Sequence, residues 1–185
     1  MDTIENVEQL RESYGAPSER ALKKQLSRFD KYCRDFIARS PFLVVASADP
    51  SGRCDASPKG DAPGFVQVID DTTLLIPDRL GNNRIDTLAN LIARPGIGLI
   101  FFVPGINETL RVNGKVPRSA ILVTAEEVYF HCGKALIRSD LWNPDKQVRR
   151  LDFPSLGRIL ADQIGGISVE ESERYTAESY RTRLY

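Results

Sequence analysis

The order of segments predicts a mainly β fold with flanking helices, an antiparallel β-barrel of the α+β kind. Three observations carry it. Six or more short runs of strand formers, "FLVVASA", "IGLIFFV" and "EVYFHC" among them, follow one another between residues 42 and 132. Only one compact helical stretch interrupts them, and turn signals such as "DPSG" and Asp70-Asp71 sit at hairpin spacing. Helical patterns occupy both ends of the chain. Closing or nearly closing such a sheet removes exposed strand edges, which makes a barrel economical.

Taken in order, Pro17 and Ser18 read as a helix start. Leu22, Leu26, Phe29, Cys33, Phe36 and Ile37 then recur at three-to-four-residue intervals, predicting one long amphipathic helix down to Ser40-Pro41. "FLVVASA" predicts a strand, and "RCDASPKGDAPG" leads from it into "FVQVI". Asp70-Asp71 separates "FVQVI" from "TTLLIP" as a tight hairpin. The next helix carries Ile85, Leu88, Ala89 and Ile92 on one stripe. "IGLIFFV", "TLRVNGKV", "AILVT" and "EVYFHC" follow as further strands, and the tail from Ser155 reads as one or two helices. The whole is expected to be a single domain over 1–185, with helical regions at about 4–39 and about 155–180.

Charge narrows the function. Twenty-five basic residues balance twenty-five acidic ones, so no overall field favours nucleic acid or an anionic membrane, and any anion site must be local. The acidic N-terminus lacks a signal-like apolar core and "IGLIFFV" is too short to span a bilayer, so a cytoplasmic protein is expected. Cys33, Cys54 and Cys132 are widely spaced and form neither a disulfide framework nor a CxxC pair, and the single histidine, His131, has no cluster to join. No metal site is expected, and GxSxG, GxxxxGK[ST] and GxGxxG are all lacking.

Three segments offer binding groups instead. In "PDRLGNNRIDTLANL", Gly81 permits a tight turn, Asn82 or Asn83 is a favourable N-cap, and the first-turn amides of the helix have no intrahelical partners. A phosphate there would meet the positive end of the helix dipole, with Arg79 and Arg84 adding charge-assisted bonds. Taken alone, an ordinary capped helix is the better explanation of the stretch, since every helix needs a start and few bind phosphate. In "SPKGD", Pro58 removes a ladder donor and Gly60 admits unusual backbone angles, predicting an irregular or edge strand on which Lys59 could pair with phosphate. "TLRVNGK" places Thr109 and Arg111 on one strand face.

The ordered set "FLVVAS…SPKGD…LLIPDRLGNNRIDTLANLIARPGIGLIFFVPG…LRVNGKV" resembles the pyridoxamine 5′-phosphate oxidase-related FMN-binding proteins, over roughly residues 36 to 142. It is most similar to a bacterial subgroup that also carries the later pattern seen here as "HCGKALIRSDLW". The resemblance implies an antiparallel split β-barrel and a homodimer with two FMN sites at the interface. It also implies Asn83 and Arg84 at the phosphate, with Ser57, Pro58, Lys59 and Gly60 along the ring and ribityl chain. Thr109 would be a polar ligand with Arg111 beside it, and Lys134, Arg138 and Trp142 would be offered by the partner subunit.

An FMN-dependent oxidoreductase acting on a small organic substrate is the expectation, with a nicotinamide nucleotide as donor. A flavin carrier or sensor, or a barrel holding haem or a deazaflavin, are the alternatives. No catalytic residue is assigned. The substrate-gripping segment of the vitamin-forming oxidases has no counterpart near "YTAESYRTRLY", which points away from pyridoxamine phosphate as substrate.

Overall fold

A computed structural model describes residues 4–79, 84–117 and 121–182. In chain order its elements are α1 (Val7–Tyr14), α2 (Glu19–Lys23), α3 (Lys31–Arg39), β1 (Phe42–Ala48), β2 (Cys54–Gly60), β3 (Gln67–Val68) and β4 (Thr73–Leu75). There follow α4 (Asp86–Ala93), β5 (Gly96–Phe102), β6 (Thr109–Lys115), β7 (Leu122–His131), α5 (Lys134–Ser139), α6 (Leu156–Ile164) and α7 (Val169–Thr182).

The strands form one seven-stranded antiparallel sheet in the order β2-β1-β5-β6-β7-β4-β3. β2 and β3 lie at its two ends and do not pair with each other, so the barrel is split rather than closed by hydrogen bonds. Register and burial define its faces. The row Val45–Leu99–Val112–Val128 points inward and is buried throughout. Leu43, Phe101 and Leu110 make the next inward row, joined by Leu74, Ile76 and Val123. Burying each such side chain stabilises the fold by about 1.5 to 3 kcal/mol before entropy is subtracted. From α3 come Cys33, Phe36 and Ile37, and the Phe36 ring meets Phe130 edge-on at 5.3 Å.

Several sequence expectations need correction. The single helix over Pro17–Ser40 is two, because Leu26 leaves the helix and exchanges backbone hydrogen bonds of 2.8 and 2.7 Å with Val128. A new helix then starts at Asp30, whose carboxylate accepts from the Cys33 amide at 2.8 Å. "AILVT" and "EVYFHC" belong to one strand, β7, which carries a bulge at Glu126 opposite Asn113/Gly114 of β6. "SPKGD" is an edge strand but a regular one: Pro58 pairs with Val44, and Gly60 has no special backbone angle. At an edge, the missing proline N–H leaves no ladder partner wanting. The Asp70-Asp71 hairpin forms as read, with the Asp70 carboxylate accepting from the amides of Thr72 and Thr73, both at 2.8 Å.

At the C-terminus, α6 and α7 pack closely on each other. Gly157 allows this approach, since a Cβ there would sit 2.7 Å from the Glu173 Cα. No extensive packing ties either helix to the sheet among the described residues.

Candidate functional site

Two of the segments expected to hold a phosphate come together at the corner where α4 meets β2. Alternation along β2 sends Asp55, Ser57 and Lys59 to the inward side and leaves Pro58 and Gly60 facing outward. Two hydrogen bonds seat the helix on this polar end of the inner face: Thr87 Oγ1 to Ser57 Oγ at 3.2 Å, and Asn90 Nδ2 to Ser47 Oγ at 3.0 Å. The sheet surface beneath the helix is therefore serine rather than aliphatic, which corrects the expected stripe. Thr87, Asn90 and Leu91 are the buried positions, whereas Ile85 and Ile92 are 63% and 85% exposed.

Helix α4 begins at Asp86, and its cap position is Ile85, in the left-handed region at φ 52° with no side-chain cap. Capping by Asn82 or Asn83 is thereby corrected, because both precede the cap position; Leu80–Asn83 themselves lie outside the described residues. Among the described residues no capping side chain occupies the first-turn amides. Each cation of the corner faces an aspartate: Lys59–Asp78 at 3.9 Å, Arg79–Asp61 at 2.7 Å and Arg84–Asp86 at 2.8 Å. Hydrogen bonding to Asp86, with the charges of Asp86 and Asp55, holds the Arg84 guanidinium above its ordinary value. Asp55 contributes the unusual atom. Its Oδ2 is buried with no hydrogen-bond partner, an acceptor awaiting a donor.

Thr109 and Arg111 do share one face of β6, but it is the outer face, across the sheet from Ser57 and Lys59. The register aligns Pro58, Val44, Ile100, Arg111 and Tyr129 in a single outward row. Arg111 donates from Nη1 to the Tyr129 hydroxyl at 2.9 Å and from Nε to Asn113 Oδ1 at 3.2 Å, and Asn113 in turn donates to Glu127. His131 pairs with Thr109, and its ring lies 5.0 Å from that of Tyr129. Burial, then the charges of Arg111 and Lys24, push the His131 imidazole below its usual value, so it is neutral at pH 7.

Lys134 and Arg138 are exposed on α5, just beyond β7, while Trp142 donates from Nε1 to the Ile106 carbonyl at 3.1 Å. The predicted residues thus divide between the α4 corner and the outer face near β6, β7 and α5. Residues that sequence reasoning passed over are Asp55, Thr87, Asn90, Lys24 and Tyr129. Strand alternation from Lys59 back through Ser57 could have found Asp55; nothing local marks Lys24.

Burial drives the Cys33 thiol up to about 12, so it stays protonated at neutral pH. Among the described residues no group of three His, Cys, Asp or Glu side chains could hold a metal ion, and no helix is long and apolar enough to cross a membrane.

Comparison with known proteins adds the family. No curated protein matches the chain. Among solved structures, an alanine variant of HupZ from Group A Streptococcus is similar at 16% identity and TM-score 0.44, covering 55% of this chain and 98% of its own. A structure titled F420 reductase is similar at 13% identity and TM-score 0.38, covering 53% and 94%. The model of the pyridoxamine 5′-phosphate oxidase family matches residues 29–128, from the buried Phe29 before α3 to the buried Val128 of β7. That span is more than half of the 185 residues and takes in six strands and most of the seventh, so the chain belongs to the pyridoxamine 5′-phosphate oxidase family.

Proposed function

We propose that this protein is an FMN-binding oxidoreductase whose flavin is held at the α4 corner, in a homodimer. The observation that carries the reading is a helix start with no side-chain cap, facing a strand that offers Lys59, Ser57 and the unpartnered Asp55 oxygen. The residues fit a flavin nucleotide group by group. First-turn amides and Lys59 suit the phosphate, with Arg84 and Arg79 able to exchange aspartate for it. Asp55 Oδ2, which can only accept when ionised, suits a ribityl hydroxyl. A bound flavin would supply the hydride and electron chemistry; this chain supplies binding, orientation and exclusion of water.

The homodimer is supported by apolar surface without a partner. Ile85 and Ile92 stand outward on α4, and Phe42 is 40% exposed on the outer sheet face. A second copy would cover such surface, and the side chains on α4 lie beside the corner, where it would complete the cleft. A nicotinamide nucleotide as reductant and a small organic acceptor complete the proposed activity.

The absorption spectrum of the purified protein, and of protein mixed with FMN, tests the reading. An oxidised-flavin band is expected, and a haem or deazaflavin spectrum would identify the cofactor as one of those instead. Arg84→Ala should weaken FMN several-fold at low salt and less at high salt, since the side chain is exposed, while riboflavin binding stays unchanged. Protein that is colourless and takes up no FMN would end this proposal.

A further inference from the structure

The α4 corner matches each cation with an aspartate, but the neighbourhood of Tyr129 does not. Arg111 is half-buried, and its hydrogen bonds run only to neutral acceptors, Asn113 and the Tyr129 hydroxyl. Lys24, also without a carboxylate at ion-pair distance among the described residues, donates to the Phe130 carbonyl at 2.7 Å and stands 5.2 Å from the centre of the Tyr129 ring. The Arg111 guanidinium lies 5.7 Å from that same ring centre. Of the nearby acids, Glu127 accepts from Asn113, while Asp30 and Glu108 both line the neighbouring cavity, the first engaged in capping α3 and the second exposed. Two cations thus converge on one phenol with no matching anion. A half-buried guanidinium held in a fixed orientation by neutral partners keeps its remaining N–H fork for a planar oxyanion.

Beside them opens a cavity of about 530 Å³ whose wall includes Lys24 and Tyr129 together with Leu26, Cys33, Phe36 and Phe130. Its lining is chiefly apolar, and Cys33 adds no charge because its thiol stays protonated. A polar group at the mouth and an apolar wall behind it describe a binding site for a small molecule with an acid head and an apolar body.

We propose that Lys24, Arg111 and the Tyr129 hydroxyl bind the carboxylate of a small organic acid, whose apolar body enters the cavity between α3 and β7. This site is separate from the α4 corner and does not depend on the flavin reading. His131 reports on it, because a bound anion would offset the two cations that now disfavour the imidazolium.

As the chain has one histidine, its ring proton resonance is unambiguous by NMR. Benzoate and acetate serve as probes, the second lacking the apolar body. Saturating benzoate should raise the His131 titration midpoint by about half a pH unit or more, with acetate binding at least about tenfold more weakly. Arg111→Gln, and independently the exposed Lys24→Gln, should each weaken benzoate by roughly tenfold, as expected for loss of a charge-assisted bond. Both should raise the midpoint in the absence of ligand, which also shows that the variant is folded. FMN affinity, followed by absorbance in the same samples, should not change. A midpoint unmoved by benzoate, acetate binding as tightly as benzoate, or unaltered benzoate affinity in both variants would overturn the proposal. Loss of FMN affinity together with benzoate affinity would also overturn it, since the site would then belong to the flavin.

Discussion

Replacing Asn90 with alanine tests how α4 is held in place. Asn90 is 8% exposed and donates to Ser47, itself 7% exposed, through a 3.0 Å bond that is, among the described residues, one of two side-chain hydrogen bonds between the helix and the sheet. Losing a buried neutral hydrogen bond costs about 1 kcal/mol net, and the Ser47 hydroxyl left without its donor adds roughly 1 to 2 kcal/mol. A total of about 2 to 3 kcal/mol is expected. For a chain of this size that lowers Tm by about 4 to 12 °C, at roughly 2 to 4 °C per kcal/mol. Urea unfolding followed by the fluorescence of the single tryptophan, Trp142, gives the free energy directly. Ser47→Ala and the double variant complete a cycle, in which the double should be less destabilised than the sum of the singles because neither group is then orphaned. Under the flavin reading, FMN affinity should fall with Asn90→Ala, since the helix start would no longer be fixed over β2. Single variants within about 0.5 kcal/mol of the parent, or a coupling energy near zero, would refute the argument that this bond anchors α4.

Two further predictions concern the core. Opposite the β7 bulge, a Cβ on Gly114 would lie 2.2 Å from the Thr124 carbonyl oxygen, so Gly114→Ala must shift backbone and should destabilise by about 1 to 3 kcal/mol in the same assay. Cys33 carries a pH dependence. Its folded-state value is raised by burial from 9.0 to about 12, so its contribution to stability is fully present below pH 9 and is lost as pH rises towards 12. Cys33→Ala should accordingly show a shallower decline in urea midpoint across that window than the parent, and equal slopes would count against the assignment.

Much of the fold was legible because the strands advertise themselves. "FLVVASA" and "IGLIFFV" are continuous runs whose alternate residues, Leu43 and Val45 or Leu99 and Phe101, fill the barrel. The break in the first long helix was not legible, since Leu26, Phe29 and Cys33 all turn inward and keep the helical period across it. The buried face of α4 was misread for a related reason. Amphipathicity places the most apolar stripe inward, yet Ser47 and Ser57 lie beneath this helix, and Thr87 with Asn90 satisfy them better than Ile85 or Ile92 could. Within the candidate site, residues adjacent in sequence were grouped as if adjacent in space. Alternation along β2 separates Ser57 and Lys59 from Pro58 and Gly60, and three strand crossings separate all of them from Arg111. The meeting of Lys24 with Tyr129 joins segments about a hundred residues apart, a contact that no local pattern encodes.

The close pairing of α6 with α7, made with little help from the sheet, bears on how the chain loses its structure. Two helices that find their main partner in each other can open and reclose while the strands stay shut, so amide exchange in 156–182 need not track exchange in the barrel. Selection can then reshape this appendage for a local purpose without endangering the body that carries it.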